Sequence, residues 1–176
     1  MSNVIEAADI KVYLSGGAAN TDPNASLGGV ISTTALVDNT LHNLFAKVSA
    51  AEALAGSTKY RGIYIKNDNG HTLTLEDAIA FIESQTTSGD TSIEIAVADE
   101  AIDATMATIA DEDTAPASIS GSWVSATGEA SGSAIGDLDD GSYRGLWVKR
   151  IVTASASAFG NDTAQVGVRG ETTATV

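Results

Sequence analysis

The segment Tyr60-Arg61-Gly62-Ile63-Tyr64-Ile65-Lys66 comes back later in the chain as Tyr143-Arg144-Gly145-Leu146-Trp147-Val148-Lys149, with Gly56-Ser57 and Gly141-Ser142 just upstream. Runs of β-branched and aromatic residues have strong strand propensity, so the chain repeats a strand. The likeness continues beyond each copy. Ser88-Gly89-Asp90-Thr91 leads into Ile93-Glu94-Ile95-Ala96-Val97, and Gly160-Asn161-Asp162-Thr163 leads into Gln165-Val166-Gly167-Val168. The repeated unit is therefore read as two strands, over residues 56–97 and 141–169, with an insertion around Asn67 to Asp77 in the first copy. A quasi-symmetric, mainly β fold follows: an antiparallel β-sandwich or jelly-roll-like barrel with at most one or two short helices.

Local patterns fill in the rest. Ile10, Val12 and Leu14 alternate before Ser15-Gly16-Gly17, which predicts a short strand and a breaker. Val30 to Thr34 reads as a strand. Leu41, Leu44, Phe45 and Val48 have helical spacing, and Ser49 with Glu52 makes a capping box before Ala53-Leu54-Ala55-Gly56. Asn67-Asp68-Asn69-Gly70 predicts a tight hairpin turn, with Thr72 to Leu75 returning. Leu75 to Ile82 fits either a helix or a strand. Its counterpart in the second copy, Ile151 to Ser157, is β-like and favours strand in both places. A strand is expected around Trp123, with most of residues 98–141 as connecting surface.

A chain of 176 residues suits one β-rich domain spanning 1–176, with an N-terminal arm over residues 1–25. At this size a domain buries roughly 70% of its unfolded surface. There is no cysteine, which excludes disulfides, thiolate zinc sites and cysteine nucleophiles. The start, Met1-Ser2-Asn3-Val4-Ile5-Glu6, lacks the basic and apolar regions of a signal peptide, and no apolar run approaches the roughly 20 residues that span a bilayer. The expectation is a protein made in the cytoplasm with no membrane partner.

The net charge of −14 argues against nucleic acid as a partner, because phosphate contact requires clustered Lys and Arg on one face. Of nine basic residues, Lys59, Arg61, Lys66, Arg144, Lys149 and Arg150 sit in or beside the repeated strands. By alternation Arg61 shares a face with Ile63 and Ile65 and opposes Tyr60. Two readings stay open for these arginines: they pair with carboxylates at the sheet end, or they contact an acidic neighbouring subunit. On the second reading Arg61, Lys66, Arg144, Lys149 and Arg150 are the candidate interface.

No catalytic, cofactor-binding or metal site emerges. His42 and His71 stand alone, with no His-x-x-x-His or Glu-x-x-His spacing, no Gly-x-Ser-x-Gly and no glycine-rich phosphate loop. Asp137-Leu138-Asp139-Asp140-Gly141 looks like the start of a calcium loop, but an EF-hand would need a bidentate Glu where Val148 stands. It reads as an acidic turn, and Asp111-Glu112-Asp113 reads as a charged loop.

Two stretches then resemble small structural proteins of tailed bacteriophages. One runs from Tyr143 to Arg150 through Val152-Thr153-Ala154 and Gly160-Asn161-Asp162-Thr163; the other joins Leu27-Gly28-Gly29-Val30-Ile31-Ser32 to the strand Tyr60 to Asn67. Together they cover about half the chain. The resemblance implies a non-enzymatic, β-rich virion component without cofactors. It implies a homo-oligomer, with a trimer favoured, whose partners are the major capsid protein or other virion proteins. A capsid decoration or cement protein fits best, and a neck or tail protein is the alternative. On that reading, the arm Met1 to Leu14 or the basic strands make the contacts. A carbohydrate-binding β-sandwich is the alternative of another class, with Trp123, Trp147, Tyr13 and Tyr64 as candidate platforms.

Overall fold

In the computed structural model, which describes residues 4–172, eight strands form two antiparallel sheets that fit a β-sandwich. The strands are β1 (Ile10–Leu14), β2 (Ser57–Asn67), β3 (Leu75–Ser84), β4 (Thr91–Ala98), β5 (Ile119–Val124), β6 (Ser133–Leu138), β7 (Tyr143–Val152) and β8 (Gln165–Thr172). The larger sheet has the order β1-β2-β7-β4-β5 and the smaller one β6-β3-β8.

The repeated segments are neighbours, β2 and β7, and they pair with each other. Tyr60 lies opposite Lys149, Gly62 opposite Trp147, Ile63 opposite Leu146, Tyr64 opposite Gly145, and Lys66 opposite Tyr143. This register is a local twofold about the Ile63 and Leu146 pair, so the motif is complementary to itself. Each glycine faces the aromatic ring of the other copy, the arrangement by which a ring covers an otherwise bare strand position. Gly167 and Phe81 repeat the device between β8 and β3.

Alternation along these strands supplies two cores. Ile63, Ile65, Leu146, Val148, Ile93 and Ile95 face inward and meet Leu75, Ala80, Ile82 and Leu138 of the smaller sheet. The opposite face carries Tyr64 and Trp147, buried with Met106 and Ile109 under the loops before and after the larger sheet's strands. Tyr64 Oη donates to the Gly29 carbonyl at 2.6 Å and accepts from the Met106 N–H at 2.7 Å. The Ser15 hydroxyl donates to the Gly62 carbonyl at 2.7 Å and accepts from the Gly28 N–H at 3.0 Å. Loops are thus bonded onto a sheet face that two glycines leave low.

The repeat is one strand deep, not two. Following β2 the chain crosses to the smaller sheet as β3 and returns as β4, whereas after β7 it crosses once and ends as β8, so the second strands of the two copies lie in different sheets. Leu75 to Ile82 is a strand as expected, but the second-copy counterpart is not: β7 stops at Val152, and Asp90 holds the turn that follows, accepting from the N–H groups of Thr153 (2.9 Å) and Ser157 (2.8 Å). The hairpin at Asn67 to Gly70 is absent because β1 and β7 already occupy both edges of β2. Instead the Asn67 amide donates to the carbonyls of Leu73 (2.9 Å) and Leu138 (2.8 Å), and steers the chain to the second sheet. Strand β6 lies in the stretch whose composition predicts mostly connecting surface.

Ser49 and Glu52 do cap a helix, α1 (Ala50–Ala55), with reciprocal bonds of 3.2 and 2.7 Å. Residues Leu36 to Val48 form no helix, and Val30 to Thr34 no strand beyond isolated bridges nearby. That segment runs along the outer edge of β1: Ser32 N–H donates to Leu14 O (2.8 Å), Leu14 N–H to Thr34 O (3.0 Å), and Leu36 N–H to Val12 O (2.8 Å). The described part of the N-terminal arm is therefore an integral strand between β2 and this cover, not a free donor. Removing residues 1–14 is expected to lower the melting temperature sharply and expose dye-binding apolar surface, because Leu14 is buried and β2 loses one of its two partners. A truncated chain that melts like the full one would contradict this placement.

Candidate functional site

Three of the repeated strands' cations meet in one ionic chain at the end of the sandwich. Lys59 and Arg150 are cross-strand partners, and Arg61 lies on the same face two positions along β2. Glu52 of α1 and Glu112 of the loop after Ile109 reach in from opposite sides. Arg150 contacts Glu52 at 3.4 Å, Glu52 contacts Lys59 at 2.9 Å, Lys59 bonds Glu112, and Glu112 bonds Arg61. Both guanidinium groups lie over the Phe45 ring, at 5.0 Å for Arg150 and 5.5 Å for Arg61. The Arg61 side chain has 0% exposure and also donates to Tyr60 O (3.0 Å) and Asn24 Oδ1 (3.1 Å).

Burial alone would raise the Glu52 carboxyl, but bonds from the Ser49 N–H, Lys59 and the Ser49 hydroxyl outweigh it and hold the pKa down to about 2. Glu112 is shifted the same way: burial opposes, and Lys59 and Arg61 prevail. A depressed carboxylate stabilises the fold fully above its unfolded pKa and loses that contribution as pH falls toward the folded value. Melting temperature is accordingly expected to hold near neutrality and to fall from about pH 4.5 downward, towards 2. Glu52→Gln should flatten part of that acid limb; an unchanged limb would remove Glu52 from it.

The remaining candidates lie elsewhere. Lys149 bonds Glu94, its cross-strand partner, and stands 4.6 Å from the Trp123 ring on the outer face of the larger sheet. Lys66 contacts Asp68 at 3.1 Å, and Arg144 donates to the Ala98 carbonyl at 3.1 Å. Arg61, Lys66, Arg144, Lys149 and Arg150 thus form no single patch. Arg61 offers no surface to a neighbour, and four of the five hold a carboxylate of their own chain. Glu112, read as part of a charged loop, is the counterion of a buried arginine. Among the described residues the exposed cations are Lys47 and Arg169.

Trp147 and Tyr64 are core residues and offer no platform, while Trp123 and Tyr13 are half-buried. The Asp137 to Asp140 turn works as a buckle: Asp137 accepts from the Asp77 N–H (2.8 Å), Asp139 from the Thr74 hydroxyl (2.6 Å) and Asp140 from the Gly70 N–H (2.8 Å). Among the described residues no three His, Asp or Glu side chains are grouped to hold a metal, and no helix is long and apolar enough to cross a membrane. What the arrangement does chemically is neutralise the chain's buried and half-buried cations internally. No protein-family model matches the chain, and no curated protein or solved structure matches it.

Proposed function

We propose that this chain is a structural component of a tailed-bacteriophage virion, a capsid decoration protein that seats as a homo-oligomer across junctions between capsomers. The observation that supports the reading most is that the two strands resembling phage structural proteins form one unit. Segments 60–67 and 143–150 are paired along their length at the middle of the larger sheet, where they organise both cores. Internal neutralisation of the basic residues leaves a strongly acidic exterior, so free copies repel one another and attachment proceeds by fitting many weak contacts at once. The protein works by adhesion: each subunit adds surface on more than one capsomer, and the oligomer multiplies it.

Quantitative mass spectrometry of purified virions tests the copy number. Decoration requires an amount comparable to the major capsid protein. A handful of copies per particle would move the protein to the neck or tail, and its absence would remove the virion reading.

A further inference from the structure

The smaller sheet ends on β8, and among the described residues its main chain makes no backbone hydrogen bond other than those to β3. Natural edge strands are usually guarded by charged side chains, lysine above all, by proline, by a bulge or by a covering loop. β8 contains neither proline nor lysine, its two charges, Arg169 and Glu171, are of opposite sign, and the register shifts against β3 place the extra residues on β3, which leaves β8 regular. One edge of the larger sheet is covered, as β1 shows; among the described residues this edge is met only at its last position, where the Thr172 hydroxyl accepts from the Ile5 N–H at 3.4 Å.

Chemistry then selects the occupant. Residues opposite one another across an antiparallel pair must share a face, so a strand that pairs with its own copy about a twofold axis is centred on a residue. Centring on Arg169 or on Glu171 sets like charges face to face, which destabilises the pair. Centring on Gly170 sets Arg169 of each copy opposite Glu171 of the other, and Val168 opposite Thr172. Centres further towards Gln165 bring no opposite charges together. Arg169 is one of the two exposed Lys or Arg side chains among the described residues, and Glu129 at 2.5 Å holds its guanidinium in place.

We propose that β8 is the contact between copies of this chain: two β8 strands pair antiparallel about Gly170 and join the smaller sheets of two subunits into one. The elementary unit is then a dimer, not the trimer that the resemblance implies. This rests on the homo-oligomeric reading above.

Analytical ultracentrifugation at about 0.15 M salt, where the mutual repulsion of two acidic chains is largely screened while close ion pairs persist, tests it on the full chain, alongside Arg169→Glu, Glu171→Arg and the double exchange. The wild type and the double exchange should dimerise alike, while each single variant meets like charges and weakens the dimer by about tenfold. At concentrations where all four are monomeric they should melt within a few degrees of one another, since the Arg169–Glu129 pair lost with Arg169→Glu is exposed and worth at most about 1 kcal/mol. A dimer indifferent to the exchanges overturns the β8 contact and leaves an oligomer formed elsewhere. A protein monomeric at every concentration overturns both the contact and the homo-oligomeric reading.

Discussion

Gly145→Val is expected to destabilise the chain by about 3 kcal/mol, as overpacking of a close-packed site does. A Cβ at Gly145 would stand 2.5 Å from Cγ and 2.7 Å from Sδ of Met106, and 2.9 Å from Cβ of Ala98. Met106 is flexible and can yield, but Ala98 sits on the neighbouring core strand and cannot follow. The same Met106 lies against Gly62, where an added Cβ would be 3.1 Å from its Cε. The repeated glycines therefore make the hollow that Met106 fills, between the rings of Tyr64 and Trp147. Two comparisons isolate this cause in chemical denaturation. Met106→Ala should cost less in a Gly145→Ala background than in the wild type, because the two sites share one space. Gly89→Ala, at a position with nothing within 4 Å, should change stability by less than about 0.5 kcal/mol. Equal losses at Gly89 and Gly145 would show that the cost lies in the backbone and not in the hollow.

Removing Glu112 should cost about as much. Glu112→Ala leaves the enclosed Arg61 without its carboxylate, and breaking a buried pair from one side typically costs about 3 kcal/mol or more. Asn24 and the Tyr60 carbonyl remain as partners, but neither carries charge. The double replacement Arg61→Met with Glu112→Leu should recover most of the loss, since it removes both charges and keeps apolar volume against Phe45, while Lys59 retains Glu52. If the double variant is as unstable as Glu112→Ala, packing rather than charge explains the site.

How much of this was legible depended on whether a residue's neighbours are local. The alternation of β1, the box at Ser49 and Glu52, and the run of β2 and β7 are set by nearby sequence, and each appears where its pattern placed it. The face assignment of Arg61 also followed from alternation, but its partner did not. Glu112 lies on a loop far along the chain, and nothing in Asp111-Glu112-Asp113 marks one acid as a counterion. The Asn-Gly hairpin failed for a related reason: turn chemistry is local, whereas the occupation of both edges of β2 is decided by strands from the two ends of the chain. Val30 to Thr34 had strand composition and became an edge cover, because β1 needed main-chain partners on its open side. The candidate interface was read from where cations cluster in sequence. Folding spread those cations over separate places and neutralised most of them, while Arg169, alone in its stretch, carried no sequence signal.

Antibody-gold labelling of intact phage particles from a lysate containing this protein, viewed by electron microscopy, tests the proposed virion role most directly. The account requires label spread over the heads; particles that stay unlabelled, with label only on free protein in the lysate, would contradict it.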